Sequence, residues 1–569
     1  MSPFCLGVLM KVRVRVSLCA VALLSLTVLV AACGGDSSPE ISFDSPGVVT
    51  ALASIEAANV DEHIRVLADD SLRGRRPGTA GYEGAMRYVQ TTLASLGLEP
   101  AGINGTFKQP VPLRHSVVQP DASGFSLTSA GRVTELSYGA DFYLSPDHMR
   151  TDSEVSATVA FVGFGVSAPA FGYDDYAGID VDGKIVAYIS GAPSSLPSNE
   201  RAYYSSGTTK SDEAIARGAV GTVSFNSPDD PRFRWENSVN RSSTGSYVWV
   251  DPAGDPRGSG SPIRGAASLN HSAVRALFAD SPTPLDDVFA AAAANSAQSF
   301  NLPIELTMRV ATTHRPVDSH NVIAKLYGSD PQLRDEYLVY VAHVDHFGVG
   351  VAVDGDDIYN GAHDNASGTS IVLEIAKAFS SLPEAPRRSV LFLFVTAEEW
   401  GLLGSDYFAA YPTVPAQSLV ANLSLDMPFL FHPLLDIVPY GAEHSTLSRS
   451  LGAAAQHLGM AISPDPIPEQ VLFIRSDHFS FVRRGIPALF IKSGFETGDP
   501  SLDGSAINAN WRVDFYHTPL DEADQGFDFE AGASHAKLNF LTGYDIAMRT
   551  ERPEWNPNDF FGAVFAGQR

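Results

Sequence analysis

From Asn321 to about Ala547, near-continuous apolar runs alternate with segments of helical spacing. The runs are Tyr337-Leu338-Val339-Tyr340-Val341-Ala342, Ser389-Val390-Leu391-Phe392-Leu393-Phe394-Val395, Val420 to Leu425, and Ile486-Pro487-Ala488-Leu489-Phe490-Ile491, with a helix expected over 369–381. That alternation predicts an α/β fold with a mostly parallel, doubly wound sheet and helices on both faces. Upstream, Val60, Ile64 and Leu67 recur at helical spacing, and a second amphipathic run covers Ala85 to Leu98. Between them Arg73-Gly74-Arg75-Arg76-Pro77-Gly78-Thr79 reads as a loop packed against a neighbour. From about 140 to 300 the texture is β-rich. Runs 157–165, 184–189 and 221–225 are bounded by Gly and Asp, helices are expected at Ser211 to Gly218 and over Ala290 to Ala297, and no dense cluster of His and carboxylates occurs. This stretch reads as an inserted, non-catalytic module.

The chain has 569 residues, 44% hydrophobic and 18% charged, so it buries a sizeable core and spans about three to four domain-sized units. Lys and Arg number 39 against 65 Asp and Glu, a formal charge of −26. That balance argues against nucleic-acid binding, which rests on cations that neutralise phosphates. Cys5, Cys19 and Cys33 are the only cysteines. The rest of the chain therefore has no thiol for a disulfide or a thiolate metal site, and any metal centre must use His, Asp and Glu.

The leader explains where those cysteines sit. Lys11, Arg13 and Arg15 precede an apolar stretch, Ala20 to Val30, that is shorter than the ~20 residues of a membrane span. Leu29-Val30-Ala31-Ala32-Cys33 resembles a bacterial lipobox, which implies that residues 1–32 are removed and Cys33 carries lipid. Gly34-Gly35-Asp36-Ser37-Ser38 then reads as a flexible tether. The expected location is the cell envelope, on the outer membrane with the body facing the periplasm or the outside.

Candidate chemistry gathers where apolar strands end. Strand 337–342 runs into His343-Val344-Asp345-His346, and strand 389–395 into Thr396-Ala397-Glu398-Glu399-Trp400-Gly401. Strand 420–425 runs into Asp426; Gly361-Ala362-His363-Asp364-Asn365 and Tyr516-His517-Thr518-Pro519 supply further groups. In doubly wound sheets ligands sit outside the C-terminal strand ends. Carboxylates such as Glu399 and Asp426, next to apolar strands, are costly to bury unpaired, and a divalent metal compensates them. Two His, one bridging and two terminal carboxylates suit a pair of ions such as zinc.

On these motifs the chain resembles the M28 family of metallopeptidases over roughly residues 55–548. The resemblance implies a zinc-peptidase/phosphorylase-like fold and a site with two Zn2+ ions. His343, Asp364 and Asp426 would hold one ion, Asp364, Glu399 and His517 the other, with Asp364 bridging. It implies Glu398 as general base, Asp345 as the carboxylate that orients His343, and a cis peptide between Asp364 and Asn365. Tyr516 is a candidate to stabilise the oxyanion. Many members carry a second Asp before the bridging one, whereas this chain has His363, read as a hydrogen-bonding neighbour of the site. His346 is read in the same way. The insert, with Gly172-Tyr173-Asp174-Asp175-Tyr176 and Val181-Asp182-Gly183-Lys184-Ile185-Val186, resembles a protease-associated domain.

The expected bounds are a signal peptide at 1–32, a lipidated Cys and tether at 33–54, the N-terminal part of the catalytic domain at 55–139, the insert at 140–300, the peptidase region at 301–548 and a tail at 549–569. The expected activity is hydrolysis of peptides by a di-zinc aminopeptidase. A carboxypeptidase or dipeptidase is the alternative within the fold, and a non-catalytic binding protein is the alternative outside enzymes. Arg475, Arg483, Arg484 and Lys492 bear on the choice, since cations facing the site would suit a substrate carboxylate.

Overall fold

The computed structural model describes residues 41–230 and 233–568. The expected leader, Cys33 and the start of the tether lie outside the described residues. The tether is shorter than 33–54. Pro46–Ala53 is a helix with Pro in its first turn, and Phe43, Val48 and Ala51 are buried in the main core. A few apolar positions are enough to dock this segment.

The four expected runs form parallel strands in the order Ser389–Val395, Tyr337–His343, Leu419–Ser424 and Ala488–Ser493. Every residue in them is buried, the reason their sequences are apolar throughout rather than alternating. Successive residues nevertheless serve different cores. Leu338, Tyr340 and Ala342 pack in one cluster with helices Ala57–Leu67, Gly368–Ser380 and Phe529–Met548. Tyr337, Val339 and Val341 pack in another with Phe408, Phe479, Phe481 and, from the C-terminal segment, Phe561. Antiparallel neighbours extend the sheet on both sides, Asp436–Tyr440 at one and the end of Ser299–Leu326 at the other.

Ser299–Leu326 joins two sheets. Its first part, to Ala311, pairs antiparallel with Asp152–Val162, and residues from Thr312 on pair with Lys108–Val118. Leu302, Ile304, Leu306, Met308 and Val310 are buried at alternate positions, the period of a strand with one face in a core. The second sheet also contains Gly124–Ser129, Ile185–Ile189, Gly221–Phe225 and Ala266–Leu269, and it has a core of its own. Its strands therefore lie on both sides of the bounds 140 and 300. Of the expected tail, residues 549–568 are packed down: Phe561 is buried, and Trp555 Nε1 donates to the Gly485 carbonyl at 2.9 Å. Among the described residues no helix is long and apolar enough to cross a membrane.

Candidate metal centre

The C-terminal ends of the parallel strands meet at one edge of the sheet. His343 is the last residue of its strand; Glu398 and Glu399 follow Ser389–Val395 after Thr396 and Ala397; Asp426 follows Leu419–Ser424 after Leu425. The backbone turns sharply there. Ala397, Met427 and His517 take φ values of 55°, 44° and 57°, left-handed conformations that persist for non-glycine residues where the surrounding structure imposes them.

Asp364 comes from the π-helical turn Ala362–Ser367, and the Asp364–Asn365 peptide is cis. Gly361 enters this turn at φ 58°, and a Cβ there would lie 2.2 Å from the Asp364 carbonyl oxygen and 2.6 Å from His346 Cγ. Only glycine allows that approach. Asn365 ties the turn to the Asp426 loop: its Oδ1 accepts from the amides of Gly368 at 2.9 Å and Met427 at 3.0 Å, while its Nδ2 donates to the Leu425 carbonyl. Asp521 accepts the amides of His363 at 2.8 Å and Asp364 at 3.0 Å.

The five expected ligands converge. His343 Nε2 faces Asp364 Oδ1 at 3.4 Å and Asp426 Oδ1 at 3.6 Å; His517 Nε2 faces Asp364 Oδ2 at 3.1 Å and Glu399 Oε2 at 3.3 Å. Asp364 thus turns one oxygen to each histidine. Glu398 Oε2 lies 3.9 Å from His343 Nε2. Tyr516 stacks on His517 with ring centroids 3.6 Å apart.

One expectation about a neighbouring group is corrected. His343 Nδ1 lies 3.2 Å from the main-chain oxygen of Asp345, not its carboxylate, and donating there leaves Nε2 bare toward the acids. The Asp345 carboxylate instead accepts the amides of Glu398 at 3.1 Å and Glu399 at 3.5 Å, so it aims the acidic turn rather than the imidazole. His346 is a neighbour of the centre, as its reading has it. Its Nδ1 is 2.6 Å from Glu399 Oε1, and it groups with Asp364 and Glu399 as His343 does with Glu398 and Asp426. His363 keeps apart from both groups; its ring packs edge-on to Trp511 and against Phe429, Phe431 and Phe527. That aromatic burial, the first cause, holds its pKa well below the ordinary imidazole value.

Other neighbours of the centre had no signal of periodicity or spacing. Arg75, from the loop at 73–79, is buried and donates to the carbonyls of Val344, Gly361, Asn360 and Leu67. From the insert, Arg241 Nη2 donates to His517 Nδ1 at 3.0 Å. Arg475 and Arg512 flank Tyr516, 5.9 Å and 5.5 Å from its ring centre. Arg483 and Arg484 line a separate cleft with Tyr203, Asp212 and Arg257.

This donor set fits a pair of divalent cations. His343 Nε2 is buried and without a hydrogen-bond partner among the described residues. Burial first, and then the charge of Asp364, pushes the Glu399 carboxyl up to about 8, and burial with Asp426 and Glu399 raises Glu398 as well. Crowded oxygens and imidazole nitrogens of this kind are the ligands of zinc-like ions.

Residues 321–540 match Peptidase family M28. Over 200 residues the chain is 27% identical to the probable leucine aminopeptidase 2 of Aspergillus oryzae, covering 34% of this chain and 36% of that one. Over 211 residues it is 29% identical to the probable glutamate carboxypeptidase of Arthroderma benhamiae, covering 33% of this chain and 27% of that one. The chain thus spans roughly a third of the length of these relatives. The solved aminopeptidase from Aneurinibacillus sp. strain AM-1 has the same fold, with a TM-score of 0.50 at 21% identity over 90% of this chain and 98% of that chain.

Proposed function

We propose that this chain, whose residues 321–540 form a Peptidase family M28 domain, is a zinc-dependent metallo-exopeptidase that acts on peptides, in the first place as an aminopeptidase. The observation that carries the reading is the placement of Asp364, with one carboxylate oxygen toward His343 and the other toward His517. His343 and Asp426 would hold one zinc and Glu399 and His517 the other, with Asp364 shared. Bound zinc lowers the pKa of a water toward ~7 and polarises the scissile carbonyl.

The remaining chemistry belongs to side chains. Glu398 takes the proton of the attacking water and returns it to the departing amine, as base and then as acid. The hydrogen bonds that the Glu398 and Glu399 amides donate to the Asp345 carboxylate hold the turn that carries it. Tyr516 accepts a hydrogen bond from Arg475 Nη2 at 2.8 Å, which leaves its own O–H free to donate to the developing oxyanion. Burial raises the Tyr516 phenol above its ordinary pKa, so that proton stays in place at neutral pH. A binding protein on this fold would have no use for the complete set of ligands and base.

The test is hydrolysis of a panel of aminoacyl and N-blocked peptides with and without chelator. Cleavage of free N-termini that chelator stops and zinc restores is expected; cleavage confined to N-blocked peptides would make the enzyme a carboxypeptidase, and none at all would sink the reading.

The location is part of the same proposal. The lipobox-like stretch before Cys33 supports a lipid-anchored envelope protein, and the insert between the two peptidase segments is read as a protease-associated domain. Mass spectrometry of the native protein should find residues 1–32 absent and lipid on Cys33. An unmodified Cys33 would remove the anchor.

A further inference from the structure

One strand of the insert leaves the insert's own core and enters the core beneath the acidic turn. Ser246–Trp249 pairs antiparallel with Lys108–Val118. Its alternate residues Tyr247 and Trp249 are buried in a cluster with Ala397 and Leu403, which bracket the segment that runs from Glu398 to Leu402. Tyr247 also meets the Trp400 ring edge-on, with centroids 5.1 Å apart.

The insert takes hold by charge at Asp406, which stands one turn into the helix Leu403–Ala410 and is 4% exposed. Asp406 Oδ2 accepts from Trp249 Nε1 at 2.8 Å and from Arg257 Nε at 2.7 Å. A buried carboxylate is costly without partners, and both of these come from the insert. The helix is in turn continuous with the acidic turn. The amides of Gly401 and Leu402 donate to the Glu398 carbonyl at 2.8 and 2.9 Å, Leu403 to Ala397 at 3.1 Å, Gly404 to Thr396 at 2.9 Å and Asp406 to Leu402 at 2.9 Å. A Cβ on Gly404 would lie 2.3 Å from the Thr396 carbonyl oxygen, so helix and strand end meet backbone to backbone. A shift of Asp406 is therefore passed on to Glu398 and Glu399 rather than taken up between them.

We infer that Asp406 is a positioning residue: gripped by Trp249 and Arg257, it fixes the turn that carries Glu398 and Glu399, and the insert thereby belongs to the catalytic apparatus. Asp345 holds that turn from the strand side, and Asp406 holds it from the helix side. The consequence for rate rests on the metallo-exopeptidase reading. A reacting group misplaced by about 1 Å costs about 10²-fold, and the loss belongs in kcat more than in KM, because the grip touches no substrate.

The test compares the zinc-loaded full chain with Asp406→Ala, Asp406→Asn, Trp249→Phe and Met308→Ala. Asp406→Ala should lower kcat about tenfold to a hundredfold with KM little changed and bound zinc as in the parent. Asp406→Asn keeps an acceptor for Trp249 and should recover part of the loss. Trp249→Phe removes one donor while keeping an aromatic ring, and should lose less than Asp406→Ala. The second readout is hydrogen exchange by mass spectrometry over residues 397–404. Exchange there should quicken in Asp406→Ala and not in Met308→Ala, which loosens the insert in a separate core. Circular dichroism guards against misfolding, and if Asp406→Ala fails to fold, Trp249→Phe carries both readouts. Unchanged exchange over 397–404, exchange equally quickened by Met308→Ala, or an active parent whose kcat the variant leaves intact overturns the inference. If the parent hydrolyses no peptide, the peptidase reading falls and exchange alone decides the grip.

Discussion

Arg75 shapes the centre without belonging to it. It sits at φ 50°, is 1% exposed, and its guanidinium reaches the carbonyls after His343 and before Asp364 at once. Burial lowers its pKa to about 10, with the charge of Asp521 opposing, so it remains a cation at neutral pH. Arg75→Met should destabilise the fold by more than about 3 kcal/mol, since several buried acceptors lose their donor at once and each costs about 1–3 kcal/mol. Denaturant titration checks this. Glu398 is the opposite kind of residue. Glu398→Gln removes a proton acceptor from a site whose backbone is held by Asp345, so bound zinc and melting temperature should stay near the parent's while kcat falls by at least about 10²–10⁴. Metal analysis of the same preparation separates that result from loss of metal.

At the scale of elements, Ser299–Leu326 determines how the insert meets the sheet, because one strand supplies an edge to each. Met308 is fully buried in the core of the insert. Met308→Ala should cost about 2–5 kcal/mol, and the loss should be felt first in the insert, where limited proteolysis will find new cleavage sites before the region 321–540 is cut. The helix Trp235–Ser243 places Arg241 against His517, so loosening the insert also loosens one neighbour of the centre. The parallel strands were legible because burial on both faces demands apolar residues at every position. The long strand is harder to read although its alternation from Leu302 to Val310 is regular, because polar residues interrupt it at every second place and it lies across an expected boundary.

At the scale of the whole molecule, the centre is a cluster of buried acids on which a two-sided sheet converges, so cation binding and folding are linked. Removing zinc with chelator should lower the melting temperature and returning it should restore it; a ligand at 100 times its Kd contributes about 2.7 kcal/mol. In the metal-free protein Glu399 makes a contribution to the pH dependence of stability whose sign is definite. Glu399 in the fold is pushed from the ordinary carboxyl range up to about 8 by burial and by Asp364, so the folded state holds more protons than the unfolded one in between. The stability that this proton contributes is fully present below about 4.5 and is lost as pH rises toward 8. Zinc-loaded protein should lack that contribution, so the gap between melts with and without chelator should widen from about pH 6.5 to 8, above the range where the buried histidines of lowered pKa titrate.

The sequence by itself determined the parallel sheet, because continuous apolar runs admit few other environments, and it placed His343, Glu399 and Asp426 together, because polar groups that follow such runs are carried to one edge of the sheet; Asp364 and His517 joined them as candidate ligands through the family resemblance. The resemblance also led to Glu398, which adjoins Glu399 in the same turn. Only the tertiary structure decided which groups come from afar. Arg75, Arg475 and Asp521 reach the centre from loops, Arg241 from the insert and Arg512 from the last turn of the helix Gly504–Asp514, where neither period nor spacing marks them as neighbours of the site. The same holds for the direction of single side chains. The carboxylate of Asp345 turns to the amides of Glu398 and Glu399, His346 turns toward Glu399, and His363 turns into an aromatic cage. Spacing along a chain fixes where a residue stands, and the packing around it fixes where it points.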